Sequence, residues 1–157
     1  MSQKKILFVC TGNSCRSVMA EGLLKEMLAK QGRADVQVIS AGTATMDGVP
    51  PTLETIEVMA REGVDVAGHI GQQLTPQVIR HADAVFCMET SHRERVLALC
   101  PEAEPKVQML KTFRHPNPPS DPNVWDPIGL PKDMYRMCMG IIKEGVQRVA
   151  NWLEEKG

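Results

Sequence analysis

The sequence predicts one α/β domain over residues 1–157, a four-stranded parallel sheet with helices on both faces and an anion-binding loop after the first strand. Three observations predict it. Four short runs rich in β-formers, Ile6–Val9, Val36–Ile39, Ala84–Met88 and Val107–Leu110, are bounded by turn residues or prolines, as strands are. Stretches with helical apolar spacing separate them, and strands alternating with helices make parallel crossovers. The first crossover is a strand, a tight Gly-Asn turn and a helix start, a geometry that gathers backbone N–H groups around one point.

Ile6-Leu7-Phe8-Val9 is the first strand, closed by Gly12-Asn13. After Ser17, Met19, Leu23, Leu24, Met27 and Leu28 have helical spacing. Ser17 suits the N-cap, and Glu21 lies in or near the first turn, where a carboxylate complements the helix dipole. This helix is expected to end near Gly32, with Lys30 and Arg33 near its negative end. Val36, Val38 and Ile39 form the second strand, closing in Ser40-Ala41-Gly42-Thr43. Gly48 and Pro50-Pro51 make Thr43 to Pro51 a loop. Helical signals resume at Thr52 with Leu53, Ile56, Val58 and Met59 and stop at Gly63; a short connection, Val64 to Gln73, contains His69. Thr75-Pro76 opens another helix, Pro at its first position, running to about His81. The third strand is Ala84 to Met88, followed by a helix from Ser91 to Leu99 ended by Pro101, and the fourth strand is Val107 to Leu110. Phe113 to Pro131 holds Pro116, Pro118, Pro119, Pro122, Pro127 and Pro131 and reads as a long loop, often a functional feature in a compact domain. The last helix starts near Pro131 or Lys132 and carries Met134, Cys138, Ile141, Val149 and Trp152 along one stripe.

The chemistry concentrates in Cys10-Thr11-Gly12-Asn13-Ser14-Cys15-Arg16-Ser17. Cys10 stands at the loop's start and Arg16 returns at the helix N-terminus. A thiol facing oriented N–H groups, a guanidinium and a positive helix end is expected to be a thiolate near neutrality. The same groups would hold the nonbridging oxygens of a phosphoryl group, with Arg forking two of them. One loop thus supplies nucleophile and oxyanion cradle. Asn13 and Ser17 can hold the loop and hydrogen-bond the thiolate, or serve only as turn residue and N-cap. Displacing a phosphoryl group onto a thiol leaves a group to be protonated and later a water to be deprotonated. Asp121-Pro122 and Asp126-Pro127 in the proline-rich loop both offer a carboxyl group for this, and local physics does not choose between them.

The Cys10-to-Ser17 segment with Met19-Ala20-Glu21 resembles the phosphate-binding loop of the low-molecular-weight protein tyrosine phosphatases, a family that includes bacterial protein-arginine phosphatases and is related to the thioredoxin-coupled arsenate reductases. Members commonly carry Pro where this chain has Val18, a change at the start of the helix rather than in the chemistry. The resemblance extends over nearly the whole chain. It implies catalytic roles for Cys10, Arg16 and Asp126, with phosphate binding by Thr11, Gly12, Asn13, Ser14, Cys15, Arg16 and Ser17. Asp126-Pro127-Ile128-Gly129 followed by Tyr135 matches the family's general-acid loop, and Asp121 has no such match. Gly68-His69 resembles a connection whose His braces the loop Asn, here Asn13, and Ser40-Ala41-Gly42-Thr43 resembles the turn after the second strand. Asp83 to Met88 resembles the third strand, with Cys87 a buried thiol. Cys15 either packs inward or traps an oxidised Cys10 as a disulfide, and the resemblance favours the redox role. It implies no metal or organic cofactor, and phosphorylated proteins as substrates.

Substrate preference is less defined. Family members that prefer phosphotyrosine have aromatic residues after the Asp-Pro, where this chain has Ile128-Gly129; Trp125, Tyr135 and Phe113 would have to come from further away. Members acting on phosphoarginine carry Thr after the nucleophile, as Thr11 is here, and a hydroxyl there could orient a guanidinium or the attacking water. Arsenate reductases share this loop, but their relay needs two further cysteines close together after the third strand. Here Cys87 lies within that strand and Cys100 far along a helix, which suits a phosphatase better. A phosphate-binding module without turnover is the remaining alternative.

Composition sets the outer bounds. A net charge of −1 offers no basicity for nucleic acid, and no run of about 18 apolar residues suggests a membrane span. Five cysteines, Cys10, Cys15, Cys87, Cys100 and Cys138, at irregular spacing argue against a disulfide framework and for a reducing compartment, the cytoplasm. None has the paired spacing of a zinc site.

Overall fold

β1 (Lys4–Cys10) is the strand on which the molecule is built, because it is buried almost along its length and pairs on both sides. The computed structural model describes residues 3–156. After β1 come α1 (Arg16–Lys30), β2 (Val36–Gly42), α2 (Leu53–Arg61), α3 (Pro76–His81), β3 (Ala84–Cys87) and α4 (Thr90–Leu99). A 3₁₀ turn (Pro101–Lys106), β4 (Val107–Met109) and α5 (Lys132–Lys156) complete the chain. All strand pairs are parallel, in the order β2-β1-β3-β4. The chain leaves β1 for β2 on one side and then crosses over to β3 on the other. β1 is therefore the switch point, and the crevice at its carboxyl end is where open α/β sheets bind ligands.

Alternation along β1 divides the core. Ile6 and Phe8 face a cluster with Val18, Leu23, Leu24 and Leu28 of α1 and Ile142, Val146 and Leu153 of α5. Leu7 and Val9 face a second cluster with Ile79 of α3 and Val96 of α4. Phe86 and Phe113 meet edge to face at 4.8 Å, and Phe113 meets Trp152 at 5.6 Å.

Thr52 and Thr75 cap α2 and α3 as their spacing predicts, each accepting from a backbone N–H of the first turn. Two expectations are corrected. Ser17 is not the N-cap of α1; Cys15 holds that position without a side-chain cap bond, and Ser17 is buried inside the first turn. Glu21 accordingly lies a turn further in, since no acidic residue stands in the first turn. On α5, Cys138 and Val149 are buried as read, but Tyr135, Ile142 and Leu153 take the places read for Met134, Ile141 and Trp152. Tyr135, Cys138, Ile142, Val146, Val149 and Leu153 are buried, while Met134, Ile141 and Trp152 flank them half-buried. The 3₁₀ turn after α4 was not expected; Pro101 ends the helix and begins that turn.

Candidate active site

The cradle follows from how the loop after β1 is tied down. The carbonyls of Cys10, Thr11 and Ser14 accept from the backbone N–H groups of Thr43, Ala44 and Thr52, at 2.9, 2.9 and 3.1 Å, and that of Cys15 accepts from Met19 at 3.0 Å. In a planar trans peptide the N–H points opposite to the C=O. The N–H groups of Thr11, Gly12, Cys15 and Arg16 therefore turn away from these anchors, into the loop. Asn13 makes the bend at φ 52°, in the left-handed region that Asn tolerates. The β2 end can approach only because residue 42 is Gly: a Cβ there would stand 2.5 Å from the Thr11 carbonyl oxygen.

Side chains complete the frame, and their hydrogen-bond directions can be assigned. Asn13 Nδ2 donates to Ser17 Oγ at 2.8 Å and to Ser40 Oγ at 2.9 Å. Its Oδ1 accepts from the Gln72 N–H at 2.9 Å and faces His69 Nε2 at 3.3 Å. Ser17, accepting from Asn13, is free to donate its proton to Cys10 Sγ, 2.9 Å away. Ser40 likewise donates to Glu21 Oε1 at 2.5 Å. His69 thus braces Asn13, and its other nitrogen faces Glu21 at 3.8 Å. Burial lowers its pKa, with Glu21 opposing.

Arg16, 1% exposed, is held from four directions. Nη1 pairs with Glu89 Oε2 and donates to the Val124 carbonyl at 2.7 Å. Nη2 lies 3.5 Å from Asp126 Oδ2 and 3.4 Å from Thr11 Oγ1. Burial alone would lower the guanidinium pKa; Cys10, Glu89 and Asp126 outweigh it and hold the pKa above its ordinary value. Asp126 is thereby brought to the cradle, and Asp121 is not: its carboxylate accepts from the Asn123 N–H in an exposed turn.

Glu89 and His92 were not anticipated. They sit at the start of α4, where the Glu89 side chain and the His92 ring form a reciprocal capping box. The local sign was Glu89-Thr90-Ser91-His92, a cap residue followed three positions later by an acceptor. Their contacts to Arg16 and Thr11, across 73 and 81 residues, had no local sign.

Cys15 Sγ lies 3.6 Å from Thr52 Oγ1 and 3.9 Å from Tyr135 Oη. Cys138 shares its side of the sheet, whereas Cys87 and Cys100 lie in the opposite cluster. Burial pushes the Cys87 and Cys138 thiols up to about 12 and raises that of Cys100. Tyr135 is buried against Cys15, Phe113 is stacked in the core, Trp125 is half-buried against the core directly before Asp126, and the residue after Asp126-Pro127 is the exposed Ile128.

A thiol at the switch point of a parallel sheet, ringed by N–H groups and a buried guanidinium, is the arrangement of an α/β protein built for covalent phosphoryl transfer. The chain belongs to the low molecular weight phosphotyrosine protein phosphatase family, whose profile matches residues 5–157. It is 34% identical over 150 residues to a protein-arginine-phosphatase of Geobacillus stearothermophilus, covering 96% of each chain. It is 40% identical over 93 residues to EpsP of Ralstonia nicotianae, a probable low molecular weight protein-tyrosine-phosphatase; that match spans 59% of this chain and 61% of the relative. Among solved structures, the YwlE arginine phosphatase, as a cysteine-to-serine mutant with a phosphorylated active-site serine, superposes with a TM-score of 0.87 at 29% identity, covering 96% of this chain and 95% of that one. Among the described residues no helix is long and apolar enough to cross a membrane.

Proposed function

We propose that this chain is a cysteine-dependent protein phosphatase that works through a cysteinyl-phosphate intermediate in the cytoplasm. Cys10, hydrogen-bonded by Ser17, attacks phosphorus in line with the leaving group. Arg16 and the loop N–H groups of Thr11 to Ser17 hold the transferring oxygens. Asp126 protonates the leaving group and then takes a proton from the water that hydrolyses the cysteinyl-phosphate. The observation that carries this reading is the convergence of Cys10, Arg16 and Asp126, with Asp126 Oδ2 3.5 Å from the Arg16 guanidinium. The phosphorylated active-site serine of the related YwlE mutant supports a phosphoryl group at the nucleophile's position.

For substrate, phosphoarginine proteins fit better than phosphotyrosine ones, because Ile128 and Gly129 stand after Asp126-Pro127 where an aromatic residue would stack on a phenyl ring. A stacking partner of that kind contributes about 0.5–1.5 kcal/mol, roughly tenfold at most. Parallel kinetics on phosphoarginine and phosphotyrosine peptides test this: the expected result is a higher kcat/KM for phosphoarginine, and a phosphotyrosine preference of orders of magnitude overturns it. Steady hydrolysis of p-nitrophenyl phosphate that vanishes in Cys10→Ser separates turnover from mere phosphate binding. An arsenate-reductase relay is disfavoured, since Cys87 and Cys100 are buried across the sheet from Cys10.

A further inference from the structure

We propose that His92 is a positioning residue that fixes the Thr11 hydroxyl as a hydrogen-bond donor to a phosphoryl oxygen of the substrate, an inference that rests on the reading of the Cys10 loop as a phosphoryl-transfer site. The argument is one of proton accounting. The Glu89 backbone N–H donates to His92 Nδ1 at 3.0 Å. A backbone N–H can only donate, so Nδ1 carries no proton and the neutral ring carries it on Nε2. Nε2 lies 2.8 Å from Thr11 Oγ1 and therefore donates to it. Arg16 Nη2, also only a donor, approaches the same oxygen at 3.4 Å. A hydroxyl oxygen has two acceptor sites and one proton to give. With both sites taken, Thr11 can act outward only as a donor.

The ring is built to stay in that state. His92 is 2% exposed, and burial with the nearby Arg16 charge pushes its pKa down to about 4. Near neutrality it has one proton, and the Glu89 N–H decides which nitrogen carries it. Thr11 is half-buried and adjoins the nucleophile in the chain.

This changes what Thr11 can recognise. A protonated guanidinium offers N–H donors and no acceptor, so Thr11 held by His92 does not select arginine by accepting from it. It contacts the group that phosphoarginine and phosphotyrosine share. Arginine preference then comes from the mouth of the site, not from this hydroxyl.

Two measurements on the full chain test the proposal. In the first, imidazole nitrogen NMR is expected to show His92 as the neutral Nε2–H tautomer near neutral pH, whatever the activity of the protein. An Nδ1–H tautomer or a charged ring overturns the assignment. In the second, Thr11→Val and His92→Phe are compared with wild type for inorganic phosphate affinity and for kcat/KM on both peptide classes. Each is expected to lose about ten- to a hundredfold in kcat/KM on both peptides alike, as loss of a hydrogen bond to a charged group does. Phosphate affinity should weaken in parallel, the double variant should be no worse than Thr11→Val, and Thr11→Ser should stay near wild type. A loss confined to phosphoarginine, or additive losses in the double variant, overturns it. If His92→Phe does not fold, Thr11→Val on the two peptides and the tautomer decide alone. An inactive wild type with the expected tautomer and phosphate effects would sink the phosphatase reading and leave the positioning role standing.

Discussion

Asp121 and Asp126 form the same local turn, each accepting from the N–H two residues on, at 2.9 and 3.1 Å. What separates them is the segment before Asp126. Val124 is fully buried, its N–H donates to the Met88 carbonyl at 2.8 Å, and its own carbonyl accepts from Arg16. Trp125 is further tied by the Cys138 thiol, 3.7 Å from its carbonyl. The carboxyl group that follows is thus delivered to Arg16, whereas Asp121 has no such anchor. Asp126→Asn is therefore expected to lower kcat by about a hundred- to ten-thousandfold for leaving groups that need a proton. The loss should be far smaller for p-nitrophenolate, and Asp121→Asn should change little with either. Equal losses with both leaving groups would make Asp126 a structural residue. Cys15 makes a second residue-scale case. It is in the loop with Cys10, on the same side of the sheet as Cys138 and across it from Cys87 and Cys100. Mild peroxide should therefore yield a reversible Cys10–Cys15 disulfide, with Cys15→Ser harder to reactivate after oxidation. Peptide mapping that found Cys10 joined to Cys87 or Cys100 would contradict the sheet's separation of these thiols.

Elements with a strong local signature were legible in the sequence. β1 read correctly because a strand buried on both faces is apolar throughout, and α2 and α3 because Thr52 and Thr75-Pro76 carry their own start signals. The convergence of Cys10 and Arg16 was legible from the loop, and that of Asp126 with them only through resemblance. Phase and long-range pairing were not. On α5 the half-buried Met134, Ile141 and Trp152 are as apolar as the buried Tyr135, Ile142 and Leu153 beside them. Composition could not fix which of two adjacent stripes faces the sheet. Ser17 has the chemistry of a cap but lies two positions past the N-cap, where its hydroxyl serves Cys10 instead of the backbone. The corrected phase makes a direct prediction. Ile142→Ala should destabilise the protein by about 2–5 kcal/mol, the usual cost of truncating a fully buried aliphatic side chain. Ile141→Ala, at a half-buried flank, should cost distinctly less. Urea midpoints for the two variants test this, and equal losses would restore the stripe first read from the sequence.

At the scale of the whole molecule, the sheet's switch point draws the loop after β1, the end of β2 and the start of α4 to one place, and with them two histidines. His92 is 2% exposed at the front of the loop and His69 is held behind it against Asn13. Both have pKa values depressed by burial, that of His92 from 6.5 to about 4. As pH falls below 6.5, the unfolded chain takes up a proton at position 92 while the folded protein resists until about pH 4. Protonation then favours unfolding, so stability is full above pH 6.5 and declines across that window. For His92 the decline amounts to about 2 kcal/mol between pH 7 and pH 5, and His69 adds a loss of the same sign. Carboxylates act elsewhere: Asp35, held down to about 2 by Arg33, and Glu102, also lowered, shed stability only below their ordinary values of 3.8 and 4.5. Urea unfolding at these two pH values, compared between wild type and His92→Gln, isolates the contribution of His92. The midpoint is expected to fall at the lower pH in wild type and to fall less in His92→Gln, which has no proton to bind there. If wild type and His92→Gln lose the same amount between the two pH values, His92 titrates alike in the folded and unfolded chain. The neutral ring that holds Thr11 would then have no energetic basis.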